Sequence, residues 1–162
     1  MPSIAAKRPL QHRSTARTTK RAEPWAIDDY LSYLLARASH VVASEFHLEV
    51  RAAGLTILEW RVLATLADGT ARNVGALASI ALAQQSTVTK LLGRMEAEGR
   101  IARADGDHDR RQSLVRITLE GRAALGTLLS RSKRHERIAV ERLDQGEAAS
   151  LKSALRKLID GS

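Results

Sequence analysis

The stretch Gln84-Gln85-Ser86-Thr87-Val88-Thr89-Lys90-Leu91-Leu92-Gly93-Arg94-Met95, closing at Glu98-Gly99, sorts its residues onto two faces. Val88, Leu91, Leu92 and Met95 recur at i, i+3, i+4 and i+7, which predicts a helix with one buried stripe. At about 100° per residue, Ser86, Thr89, Lys90, Gly93 and Arg94 fall opposite that stripe, with Thr87 at its edge. The outer face is short, polar and cationic, with no acid before Glu96. A helix facing only water more often mixes both signs. Small hydroxyl and amide side chains admit close approach, so this face suits phosphates and base edges. The alternative is an ordinary solvated face.

Upstream, Asn73 can cap a short helix carrying Val74, Leu77 and Ile80. Before it, Thr56-Ile57-Leu58-Glu59 has the form of a capping box, opening a helix that ends at Asp68-Gly69. Further back, Ile27, Leu31, Leu34, Leu35, Ala38, Val41, Val42 and Phe46 recur at helical spacing. They predict one long helix from Pro24 to about Arg51, with Asp28 and Asp29 at its positive end. Downstream, Arg100-Ile101-Ala102-Arg103 leads into a polar turn through Arg111, after which Val115, Ile117 and Leu119 alternate with polar residues as a half-buried strand does. Two strands around a charged turn, following a helix–turn–helix, make a β-wing. From about Thr118, Leu125, Leu128 and Leu129 predict another long helix, and Asp144 with Glu147 opens a last one. The predicted class is therefore mainly α with a small β-wing.

Composition narrows the function. The 162 residues include 26 Lys+Arg, 18 Asp+Glu and no cysteine, for a net charge of +8. Without cysteine there is no disulfide, zinc-thiolate, iron–sulfur or thiol-redox chemistry. No apolar run is long enough to cross a bilayer, and the first twenty-odd residues lack the apolar core of a secretion signal, so a cytoplasmic location is expected. Lys7, Arg8, Arg13, Arg17, Lys20 and Arg21 face Glu23 alone, so residues 1–23 predict a disordered basic arm. That composition is also transit-peptide-like; a solvated tail and a DNA-reaching arm both remain open for it. The excess charge points to a polyanionic partner. No phosphate loop, serine elbow or His-x-x-x-His pair is present, so neither catalysis nor a cofactor is expected. His40 and His47 share one helix face but lack the carboxylates of a metal site.

Gly106-Asp107-His108-Asp109-Arg110-Arg111-Gln112, then Val115-Arg116-Ile117-Thr118-Leu119-Glu120-Gly121, closely resembles the wing signature of MarR-family transcription regulators. Gly54-Leu55-Thr56, Glu59-Trp60-Arg61-Val62-Leu63 and Ser86-Thr87-Val88-Thr89-Lys90-Leu91 also resemble the family. The likeness runs over roughly residues 25 to 160, with His108 where proline is common and Ile117 in place of leucine. It implies a homodimer on a pseudo-palindromic double-stranded DNA operator. Residues 24–54 would be a dimerisation helix, 55–118 the winged helix–turn–helix, and 119–162 the C-terminal dimerisation helices.

By motif position, the resemblance assigns DNA contacts to Gln85, Ser86, Thr87, Thr89 and Lys90, and a backbone contact to Arg94. In the wing, Arg111 would enter the minor groove, Asp109 would hold it, and Arg110 would add charge. A solvated helix face and an exposed turn are the competing readings. The resemblance also implies a repressor released by a small effector bound between the dimerisation helices and the DNA-binding lobe. All five aromatics, Trp25, Tyr30, Tyr33, Phe46 and Trp60, lie near that junction in sequence. Tyr30, Tyr33, Arg37, His40, Trp60 and Arg61 are the candidates, with rings sandwiching a planar acid and a cation pairing its carboxylate. Plain core packing with internal ion pairs is the alternative. Arg61 stands where the urate-responsive branch carries an acid, whereas the segment from Pro24 to Leu31 is similar to regulators of aromatic-acid catabolism, nicotinate-pathway repressors among them. Two other functions stay open: an architectural DNA-binding protein without an effector, and a winged-helix module for protein contacts.

Deleting residues 1–22 is expected to leave the melting temperature almost unchanged while making the salt dependence of DNA binding shallower. The arm has little to bury, but its cations can displace condensed counterions. An unaltered salt slope would identify it as a passive tail.

Overall fold

The computed structural model describes residues 27–104 and 114–161. A 3-10 turn, Ile27–Asp29, precedes helices α1 (Leu31–Ala52) and α2 (Ile57–Thr65). A short strand β1 (Arg72–Asn73) leads into α3 (Val74–Ala81) and α4 (Gln85–Ala97). Strands β2 (Ile101–Ala104) and β3 (Leu114–Ile117) follow, then α5 (Leu119–Leu125), α6 (Leu128–Val140) and α7 (Gln145–Asp160). The arm, the wing turn from 105 to 113, Pro24 and Trp25 lie outside the described residues.

The caps form as their residues require. The Thr56 side chain accepts from the Glu59 backbone while the Glu59 carboxylate accepts from the Thr56 backbone, and Asp144 and Glu147 repeat this at α7. Asn73 Oδ1 accepts from the Ala76 N–H at 2.8 Å. Helix α4 buries Val88, Leu91, Leu92 and Met95, the four residues of its stripe. They meet Val62, Leu63 and Leu66 of the second helical segment, Leu77 of α3 and Val115 of β3 in one core.

Six details depart from the sequence reading. Helix α2 ends at Thr65, short of Asp68-Gly69, and Leu119, expected on the strand, opens α5 and is exposed because the strand stops at Ile117. The first helix begins at Leu31, because the Tyr30 N–H closes a turn on the Ile27 carbonyl at 3.0 Å and Tyr30 itself is extended (φ −76°, ψ 119°). Paired aspartates favour such turns over helix interior. Ile80 is 51% exposed: Leu77, Ala78 and Ala81 form the inner stripe, and Ile80 lies off it. Strand β1 has no counterpart in the sequence reading. It pairs with β3 at Arg72↔Val115 and Asn73↔Leu114, making a three-stranded antiparallel sheet of order β1-β3-β2. Two residues carry no period to read. Finally, the long helix expected after Thr118 breaks at Gly126 (φ 45°, ψ −124°), a backbone conformation open essentially to glycine. The apolar spacing runs on because α5 and α6 both face the core.

The ends of the chain are covered least. Helix α7 buries no residue, and Leu151, Leu158 and Ile159 are exposed, as are Leu31, Leu34, Leu35, Val41 and Val42 on α1.

Helix α5 is pinned where α4 ends. The Thr118 hydroxyl donates to the Gly99 carbonyl at 2.6 Å and accepts from the Gly121 N–H at 3.1 Å. A Cβ at Gly121 would overlap the Arg100 carbonyl oxygen and lie 2.8 Å from Ile117 Cγ1. Gly121→Ala is therefore expected to cost about 1–3 kcal/mol through overpacking, outweighing the roughly 1 kcal/mol that alanine gains in helix propensity. A urea midpoint that stays put or rises would show that the helix can back away.

Candidate nucleic-acid interface and the junction behind it

The outer face of α4 is solvent-exposed at Gln85, Ser86, Thr87, Thr89 and Lys90. Its N-cap, Gln84, makes no side-chain cap bond, so the first-turn N–H groups and their positive end point outward unscreened by a side chain. Thr89 Oγ1 donates to the Gln85 carbonyl at 2.8 Å, which fixes its rotamer and leaves its lone pairs outward as acceptors. Lys90 forms no ion pair among the described residues. Asp109, Arg110 and Arg111 lie outside the described residues, but the strands that carry them are paired to the final register Ala104↔Leu114.

Arg94 sits differently. Its Nη2 donates to Glu59 Oε1 at 3.0 Å, and its Nε is 3.8 Å from Glu98. Arg100, at the base of the wing, reaches the same Glu59 oxygen at 3.4 Å and Glu98 at 3.2 Å. The Glu59 side chain is 6% exposed, and its second oxygen accepts from the Thr56 N–H at 2.7 Å. Burial pushes this carboxyl up, but hydrogen bonding from Thr56 and the Arg94 guanidinium outweigh it and hold Glu59 below its ordinary value of 4.5. The sequence identifies Glu59 only as a cap. Its tertiary partners lie 35 and 41 residues away, beyond any local pattern.

Of the six effector candidates, Tyr30 is the N-cap of α1, and Tyr33, Arg37 and His40 lie along its first half. The Arg37 guanidinium lies 5.7 Å from the Tyr33 ring centroid and 3.9 Å from the exposed Asp28. Trp60 is half-buried and meets Phe46 edge-on at 4.9 Å between centroids. Arg61 Nη1 donates to the Ala81 carbonyl at 3.1 Å, at the C-terminal end of α3. His47 connects the two groups electrostatically: burial, then the charges of Arg61, Arg51 and His40, hold it below its ordinary value of 6.5. The permanent cations of that neighbourhood are Arg51 and Arg61.

Residues that the sequence did not single out complete the junction. The Phe46 ring lies 5.7 Å from His135 on α6, and His135 Nε2 is 2.9 Å from Glu49, which also pairs with Arg131 at 3.2 Å. The His135 hydrogen bond, opposed by burial and reinforced by Arg131, holds Glu49 below the usual glutamate range. Beside them is an open cleft of about 450 Å³, lined by Ala52, Ala53, Ala124, Thr127 and Leu128 and flanked by Glu49 and Arg131. None of the six candidates lines it. Among the described residues no helix is long and apolar enough to cross a membrane, and no group of acids and histidines could hold a metal ion.

A family model described as MarR family matches residues 53–112, from the end of α1 to the wing turn. A MarR-family transcriptional regulator from Silicibacter pomeroyi is 38% identical, with a TM-score of 0.73 over 83% of this chain and 96% of that one. Bordetella bronchiseptica BpsR, described with its regulation of DNA binding by 6-hydroxynicotinic acid, is 25% identical, with a TM-score of 0.72 over 85% of this chain and 99% of that one. The transcriptional activatory protein BadR of Rhodopseudomonas palustris is 41% identical over 76 residues, 45% of this chain and 43% of that protein.

The depressed Glu59 carboxyl links stability to acid. A carboxyl whose folded value lies below its unfolded one contributes stability that is present above the unfolded value, near 4.5, and is lost as pH falls through the folded value. Glu59→Gln, which keeps the cap but not the charge, should cost about 1–3 kcal/mol at neutral pH. Its stability should then fall less than that of the unaltered protein on acidification below 4.5. Parallel pH profiles in urea titrations would mean that Glu59 is not held in its charged form.

Proposed function

We propose a ligand-responsive repressor, from the premise that this chain belongs to the MarR family of transcriptional regulators. The observation that carries the proposal is the outer face of α4: five exposed, short or cationic side chains on a helix whose opposite stripe is fully committed to the core. A helix anchored on one side and without an acid on the other before Glu96 can be laid N-terminal end first in a major groove without rearrangement. Gln85, Ser86, Thr87, Thr89 and Lys90 then meet base edges and phosphates, and Asp109, Arg110 and Arg111 take the flanking groove. The protein acts as a homodimer in the cytoplasm. Its uncovered apolar residues on α1 and α7 (Leu31, Leu34, Leu151 and Leu158 among them) form the seam with a second copy, the usual isologous solution.

The effector is an aromatic acid. BpsR, a structural neighbour, is described with 6-hydroxynicotinic acid. In this chain the half-buried Trp60 stands next to Arg61, and Arg61 and Arg51 both bear on His47, with His40 on the same helix. Tyr30, Tyr33 and Arg37 join the site from the N-terminal end of α1. For release, the acid must bind the DNA-incompetent arrangement more tightly than the competent one.

The test starts by selecting genomic fragments on the purified protein. One preferred, pseudo-palindromic sequence is expected, with Lys90→Ala and Arg111→Ala each weakening its binding by about 1–3 kcal/mol at unchanged melting temperature. Leu158→Asp should cost the dimer in sedimentation, since it sets a carboxylate in an apolar seam. Hydroxynicotinate or hydroxybenzoate should quench tryptophan emission and lower operator affinity. Tight binding to every fragment alike, unaffected by such acids, would instead favour an architectural protein.

A further inference from the structure

We propose that Arg94 is a positioning residue, clamped by Glu59 to set the recognition helix against the wing, and not a ligand of the DNA phosphates. This rests on the DNA-binding reading of α4. Glu59, Arg94, Glu98 and Arg100 form a closed set of two acids and two bases with separations of 3.0 to 3.8 Å. Glu59 is the enclosed member, at 6% exposure against 55% for Arg94. Turning Arg94 outward to a phosphate would leave that carboxylate, cut off from water, with Arg100 at 3.4 Å as its remaining cation. Stripping a partner from a buried charge costs more than an exposed ion pair returns. Lys90, one turn earlier on α4, makes no ion pair among the described residues and can reach the DNA backbone.

The same three-residue stretch of α2 holds both helices of the reading unit. Glu59 grips α4 through Arg94, while Arg61 grips the end of α3 through the Ala81 carbonyl at 3.1 Å. Arg103 on β2 adds a second strap to α4 through Glu96 at 2.9 Å. The angle between the recognition helix and the wing is thus set by ion pairs at the C-terminal end of the helix, anchored on the buried Glu59.

Salt dependence separates the two roles. Removing a side chain that neutralises a phosphate lowers the slope of log K against log salt by about 0.9, whereas misplacing the helix weakens binding without changing how many counterions are released. Glu59→Gln, Arg94→Gln, their charge-neutral double variant and Arg94→Lys would be titrated on the selected duplex and on a random one, with circular dichroism melts as the fold control. Expected are affinities about tenfold weaker on the selected duplex for either single variant, no further weakening in the double, and partial recovery with Arg94→Lys. The slope of the charge-neutral double should match that of the unaltered protein on both duplexes. A shallower slope for that double, or a Glu59→Gln variant that binds as well as or better than the unaltered protein, would make Arg94 a phosphate ligand and overturn the proposal. Should selection yield no preferred sequence, the repressor reading fails, and the slope on the random duplex still decides the role of Arg94.

Discussion

The buried Glu59 carboxylate organises the DNA-binding lobe. A charge taken out of water is tolerated only when its lone pairs are met. Here they are met by the Thr56 N–H, Arg94 and Arg100, drawn from the start of α2, the last turn of α4 and the residue before β2. Each partner belongs to an element whose apolar side packs in the same core, so the ion pairs add direction to what burial alone supplies. Hydrophobic packing of Val88, Leu91, Leu92 and Met95 fixes that α4 lies on the core. It does not fix its rotation and tilt to the accuracy that groove recognition demands. Directional bonds to a rigid capping box do.

A second set of interactions ties the lobe to the rest of the chain. Trp60 of α2 meets Phe46 of α1 edge-on, Phe46 lies against His135 of α6, and His135 bonds Glu49 back on α1. Three helices that are remote in sequence therefore share one partly aromatic, partly charged junction. The tryptophan sits between Glu59 and Arg61, the two residues that hold α4 and α3. Trp60 is thus the direct chain neighbour of both groups that hold the reading unit.

Most of the fold was legible because its determinants are local. The capping boxes at Thr56 and Asp144, the Asn73 cap and the stripe of α4 each lie within a few residues, and each is present in the structure, as is the alternation of Val115 and Ile117 on β3, though not its expected continuation to Leu119. What escaped had no local signature. A two-residue strand such as β1 has no period, and the break at Gly126 is a backbone event that leaves the apolar spacing of Leu125 and Leu128 intact. Ile80 had the right residue type and the wrong angle.

The candidate site divides along the same line. The sequence by itself determined the outward chemistry of α4, since a 3.6-residue period and a buried stripe leave Gln85, Ser86, Thr89 and Lys90 nowhere to go but out. It could not determine which cation stays free. Lys90 and Arg94 share one face of one helix, and only the tertiary structure, by bringing a desolvated carboxylate from α2 to 3.0 Å from Arg94, commits one of them inward. Nor could it show that Arg61 bears on His47, or that His135 closes on Glu49 across 86 residues. Periodicity reports what a segment must bury. Which groups meet when three segments bury together depends on how the helices cross, and that is settled only when the chain folds.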